Sequence, residues 1–163
     1  MKGLPGYASN FVQTLQLIRD FARARECRRI ITYGTSMGGL PALRAGLWLN
    51  ADRAISVGGR FHFHPARLVS AQHEVPAFDL LCDCRPEGRT SLLAVYSKTD
   101  VEDARNYAIL RKMLPKCVAI ETDAPGHVAY EGFSDRERAD FFAQIFGQPL
   151  EADCIRPEGP ERY

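Results

Sequence analysis

Ile30-Ile31-Thr32-Tyr33-Gly34-Thr35-Ser36-Met37-Gly38-Gly39-Leu40-Pro41 changes character in mid-course. Its first four residues are β-branched or aromatic, as in a strand, and they stop at Gly34. From Met37 to Asn50, Leu40, Leu43, Leu47 and Trp48 supply apolar positions for a helix. Pro41 stands near the first turn, where a missing N–H costs least. A strand therefore runs straight into a helix, and the turn between them reads Gly34-Thr35-Ser36-Met37-Gly38, the pattern G-x-S-x-G. A chain that bends this sharply passes close to itself, which favours small residues on either side of the bend.

The same rhythm extends in both directions. Upstream, Phe11, Leu15, Ile18 and Ala22 recur at i, i+4, i+7 and i+11. That spacing predicts an amphipathic helix from Ser9 to Glu26, capped by Ser9 or Asn10. Arg23, Arg25, Arg28 and Arg29 cluster at its end, where cations complement the helix dipole; a polyanion contact is the rival reading of the cluster. Downstream, Arg53–Val57 reads as a strand closed by Gly58-Gly59, Ser91–Tyr96 as a third strand and Cys117–Thr122 as a fourth. A helix over Val101–Leu114 ends at Pro115. Another opens with the capping box Ser134-Asp135-Arg136-Glu137 and stops at Gly147. Strands alternating with helices specify an α/β fold, a mostly parallel sheet of about four strands with helices on both faces. One domain spans residues 1–147, and residues 148–163, rich in Pro and Glu, form a loose tail. Residues 58–90 lack clear periodicity and read either as a lid or as a disordered excursion.

Composition narrows the function. The chain of 163 residues carries 21 Lys plus Arg against 20 Asp plus Glu, a net charge of +1, which argues against a general nucleic-acid binder. At 45% hydrophobic and 25% charged residues it has the make-up of a globular domain rather than a disordered chain. The uncharged run Ile30 to Leu43 is interrupted by three glycines and a proline and falls short of the ~20 residues of a bilayer span. The first ten residues lack the apolar segment of a secretory signal. Cys27, Cys82, Cys84, Cys117 and Cys154 are odd in number and scattered, so they read as ordinary thiols of a cytoplasmic protein. Cys82 and Cys84 lack the second pair that a zinc site requires.

A serine hydroxyl is a weak nucleophile that needs a base, and the base needs an orienting group. Both follow Ser36 in order. Asp100 lies just past the third predicted strand, and His127, the one histidine after Asp100, just past the fourth. Their separation is close to the ~30 residues of one βαβ unit, which brings both to the same sheet edge as Ser36. Glu102 and Asp103 follow Asp100 at once, and Asp103 is the alternative orienting carboxylate. His62 and His64 could form a metal pair on one strand face; without a third ligand they read better as aromatic residues of a lid. Phe61, Phe63 and Phe78 are candidates for an apolar substrate pocket.

These residues resemble the α/β-hydrolase superfamily, whose serine enzymes carry the G-x-S-x-G elbow and the chain order Ser, acid, His. The resemblance covers Ser9 to Gly147. It implies Ser36 as nucleophile, His127 as general base and then acid, Asp100 as orienting carboxylate and the Met37 N–H as an oxyanion donor. It further implies cleavage of a small carboxylic ester or thioester without a cofactor. The superfamily's first four strands, and the second oxyanion donor that follows the third, have no counterpart in this sequence. Two expectations follow: the chain is the C-terminal fragment of a longer hydrolase, or it is a minimal protein that covers the open edge of strand 30–33 by forming a homodimer. A scaffold or assembly module that keeps the elbow without catalysis is the alternative function.

Overall fold

A computed structural model describes residues 11–61 and 88–147. Four strands, β1 (Ile31–Thr35), β2 (Arg53–Val57), β3 (Ser91–Ser97) and β4 (Val118–Thr122), form one sheet in the order β1-β2-β3-β4. Every neighbouring pair is parallel, with Tyr33 opposite Ile55, Ile55 opposite Leu93 and Val95 opposite Ile120. β1 begins one residue later than the sequence suggests and runs on to Thr35. The helix expected from Met37 divides into a 3-10 turn, Ser36–Gly38, and α2, Gly39–Leu49. The remaining helices are α1 (Phe11–Ala24), α3 (Val101–Met113) and α4 (Asp135–Phe146).

Side chains alternate across each strand, so one sheet yields two cores. On one face Ala54, Leu92 and Ala94 meet Leu40 and Leu43 of α2 and Leu110 of α3. On the other, Ile55, Val57, Leu93, Val95 and Ile120 meet Phe141 and Ile145 of α4. Helices therefore cover both faces, and β2 and β3 are almost entirely buried between them. Gly46 permits the close seat of α2, since a Cβ there would stand 2.3 Å from the Ala54 Cβ. α4 is capped by Ser134, with the reciprocal Glu137 contact in place. The capping hydrogen bond of Ser134 holds the Glu137 carboxyl below its ordinary range.

α1 packs Leu15 with Leu49, Ala51 and Trp48. The apolar stripe read from the sequence is only partly used. Leu15 and Ala22 are buried, whereas Ile18 is 43% exposed, and Leu17 and Phe21 beside it are more exposed still. The apolar arc of α1 is wider than the surface that α2 offers it. Arg29 of the basic cluster donates to the Gly147 carbonyl, Arg25 lies over the Phe21 ring, and Arg23 stands in the last turn of α1.

Candidate active site

The turn after β1 is built by backbone crowding. Ser36 has φ +50°, a left-handed conformation that costs a non-glycine residue roughly 1–2 kcal/mol. A Cβ on Gly34 would stand 2.1 Å from the Gly38 carbonyl oxygen, so no side chain is tolerated there. The second glycine of the motif is different. A Cβ on Gly38 would meet nothing within 4 Å, and its φ of −75° suits any residue. The crowded partner is Gly39, where a Cβ would fall 2.3 Å from Ser56 Oγ and 2.8 Å from the Gly59 Cα. Met37 follows Ser36 at the start of the helical segment, where the first amide groups have no intrahelical acceptor, and its side chain is 58% exposed.

His127 comes from the segment after β4, beyond Gly126 at φ +98°. Its Nε2 lies 2.8 Å from Ser36 Oγ, and its Nδ1 lies 2.6 Å from Asp103 Oδ1. An ionised carboxylate can only accept, so Nδ1–H donates to Asp103 and Nε2 is left to accept from the serine hydroxyl. The ring is held from behind by Gly58, which has φ +54°. A Cβ at Gly58 would stand 2.3 Å from the His127 carbonyl oxygen and 3.1 Å from Cε1.

Asp103, not Asp100, is therefore the carboxylate on His127. Asp100 is the N-cap of α3, and its Oδ1 accepts from the Asp103 amide at 2.9 Å. That bond commits the Asp100 side chain to the helix end, while Asp103, at the N3 position, turns inward and is fully buried. Burial pushes the Asp103 carboxyl above its ordinary range; the His127 contact opposes the shift and the nearby Asp100 charge adds to it. Arg60 Nη1 approaches Asp103 Oδ1 at 3.8 Å, and the Arg60 amide donates to the Ser36 carbonyl at 3.1 Å. The Phe61 amide donates to Asn106 Oδ1 at 2.7 Å, which ties the segment after β2 to α3.

Ser36, His127 and Asp103 thus form one hydrogen-bonded chain at the C-terminal edge of the sheet, open to solvent at the serine end. Such a chain can deliver a hydroxyl proton to an imidazole and stabilise the imidazolium that results. Phe61 packs against the core between the sheet and α3, where it lines a cavity of about 10 Å³ with Asp103 and Tyr107. Phe63, Phe78, His62, His64, Cys82, Cys84, Cys154 and the tail lie outside the described residues, as does most of segment 58–90. Among the described residues no group of three or more metal-ligating side chains converges, and no helix is long and apolar enough to cross a membrane. Cys27 is exposed and Cys117 buried, both as free thiols, and burial pushes the Cys117 thiol up to about 12. Gly58, Arg60 and Asn106 are site neighbours that pattern reading does not single out. The Gly58-Gly59 pair was legible only as a strand end. No family model, curated protein or solved structure matches the chain.

Proposed function

We propose that the chain is a serine hydrolase that cleaves a carboxylic ester or thioester. The observation that carries this reading is the continuous path Ser36 Oγ–His127–Asp103, with the serine on a strained bend at a strand's C-terminal end. Ser36 Oγ attacks the acyl carbon as His127 Nε2 takes its proton. Asp103 holds the ring and stabilises its charged form, and the Met37 amide binds the developing oxyanion. His127 then returns the proton to the leaving alcohol or thiol. In the second half-reaction it takes a proton from water, which attacks the acyl-Ser36, and returns that proton to Ser36 Oγ as the acid leaves. No cofactor takes part in these steps.

A fluorophosphonate probe tests the reading. Modification is expected at Ser36, lost in Ser36→Ala and reduced by at least ~10³ in rate in His127→Ala. Folded protein that resists the probe would instead support a non-catalytic scaffold. The reading extends to a partner: a second copy of the chain, pairing β1 with β1 across a two-fold axis. β1 is the sheet's outer strand, with β2 on one side and no neighbouring strand among the described residues on the other. An unpaired edge of this kind is a template for another strand.

A further inference from the structure

Beside the Asp103 carboxylate, two buried side-chain oxygens have no hydrogen-bond partner. Asp103 Oδ1 is taken by His127, but Oδ2 has no hydrogen-bond partner, and neither does Ser56 Oγ of β2. Both residues are fully buried. Orphaned polar atoms at such depth cost roughly 1–3 kcal/mol each, and more when charged. Yet both line one cavity, closed in by Gly59, Phe61, Tyr96 and Tyr107, with a volume of about 10 Å³. That is close to the least space that holds a water molecule, and two partners are the least that retain one.

The Ser56 hydroxyl is also placed by backbone. A Cβ on Gly39 would come within 2.3 Å of Ser56 Oγ, and a Cβ on Gly59 within 2.2 Å. Glycines from the elbow and from the segment after β2 thus form a collar around this one hydroxyl. The collar explains why crowding falls on Gly39 rather than Gly38. It leaves Ser56 Oγ with its open side toward the cavity.

We infer that one ordered water occupies this cavity, accepting from Ser56 Oγ–H and donating to Asp103 Oδ2, and that Ser56 is thereby a positioning residue for the carboxylate that holds His127. The water satisfies both orphaned atoms at once. It gives the buried carboxylate a donor on its second oxygen, which favours the ionised form and fixes the carboxyl plane toward Nδ1. The groups that act on Asp103 are then His127 from the segment after β4, Arg60 from the segment after β2, Asp100 at the head of α3, a weaker backbone hydrogen bond from Ser97, and the Ser56 water.

The significance for catalysis rests on the hydrolase reading, but the water itself does not, and the test separates the two. A high-resolution crystal structure of the full chain is expected to show one water about 2.7–3.0 Å from both Ser56 Oγ and Asp103 Oδ2. In Ser56→Ala, which removes the hydroxyl without adding bulk, that water is expected to lose occupancy. The Asp103 carboxyl resonance, followed by NMR across pH, should then titrate about one pH unit higher than in the parent. Ser56→Thr, which keeps the hydroxyl, should restore the parent titration if it folds. A parent crystal without the water, or an unchanged Asp103 titration in Ser56→Ala, overturns the inference. If the water and the shift are seen while the probe fails to label folded parent protein, the hydrolase reading falls and the inference stands.

Discussion

Ser36 holds a conformation that its own chemistry disfavours, and the neighbours that impose it are backbone atoms, not side chains. The strain is a property of position 36 rather than of the hydroxyl, so it is relieved by glycine and not by alanine. Ser36→Gly is expected to be more stable than Ser36→Ala by ~1 kcal/mol in denaturant unfolding, with both variants blind to the probe. The two acidic residues at the start of α3 separate in the same manner. Asp103→Asn should slow Ser36 labelling by ~10⁴, because an amide cannot hold the imidazole in the required tautomer. Asp100→Ala should instead cost ~1 kcal/mol of stability as a lost cap. Burial raises the Asp103 carboxyl, so its ionisation in the folded state opposes stability as pH climbs from the ordinary aspartate range through the raised value. The melting temperature of Asp103→Asn relative to the parent should accordingly be higher at pH 7 than at pH 4. A difference that shrinks with rising pH would contradict this. The sequence contained a clue that distinguishes these carboxylates. Asp100 and Asp103 stand at the N-cap and N3 spacing, and a side chain used as a cap is spent on the N3 amide. Proximity to the strand end alone points to Asp100.

Among the elements, the strands and helices were legible because each carries an uninterrupted run or a cap. Ser134 and Glu137 mark the start of α4, and Arg53–Val57 is bounded by turns on both sides. Tertiary effects were less legible. Ile18 continues the stripe of Leu15 and Ala22, but a stripe states what could be buried, not how much partner surface is available. Arg53 is a sharper case. It opens β2, where a charged residue suggests an exposed position, yet it is 1% exposed. Its guanidinium donates to the Ile145 carbonyl at 2.6 Å and reaches the Gln144 carbonyl at 3.4 Å. The side chain thus closes the C-terminal end of α4, where orphan carbonyls and the dipole both favour a cation. Arg53→Leu should lower stability by ~2–4 kcal/mol in denaturant unfolding, since it strands those carbonyls in a dry site. An effect below ~0.5 kcal/mol would mean that water reaches the helix end unaided.

At the scale of the molecule, the sheet's order follows the chain, and the site gathers groups from the segments that follow β1, β3 and β4. The serine and the histidine could be read from order and spacing because a parallel sheet sends all its strand ends to one edge. Gly58, Arg60 and Ser56 were not legible, because they reach the site through contacts across the sheet that no local pattern encodes. The outer edge of β1 makes a further prediction. If two copies pair there, light scattering at micromolar concentration should report twice the chain mass. Ile31→Pro, which removes an outward-facing donor at the start of β1 and leaves the bonds to β2 in place, should return it to one. A single-chain mass for the parent would dismiss the dimer.

Ser36 and the imidazole that reaches it are 91 residues apart along the chain. At ~5–20 residues per second, a ribosome needs roughly 5 to 18 seconds to add the second after the first. Through that interval the nascent polypeptide holds an alcohol with no proton acceptor and is chemically quiet. On the proposed hydrolase reading, nucleophile and base meet only once the last loop has been made, so the order of synthesis itself keeps them apart during translation.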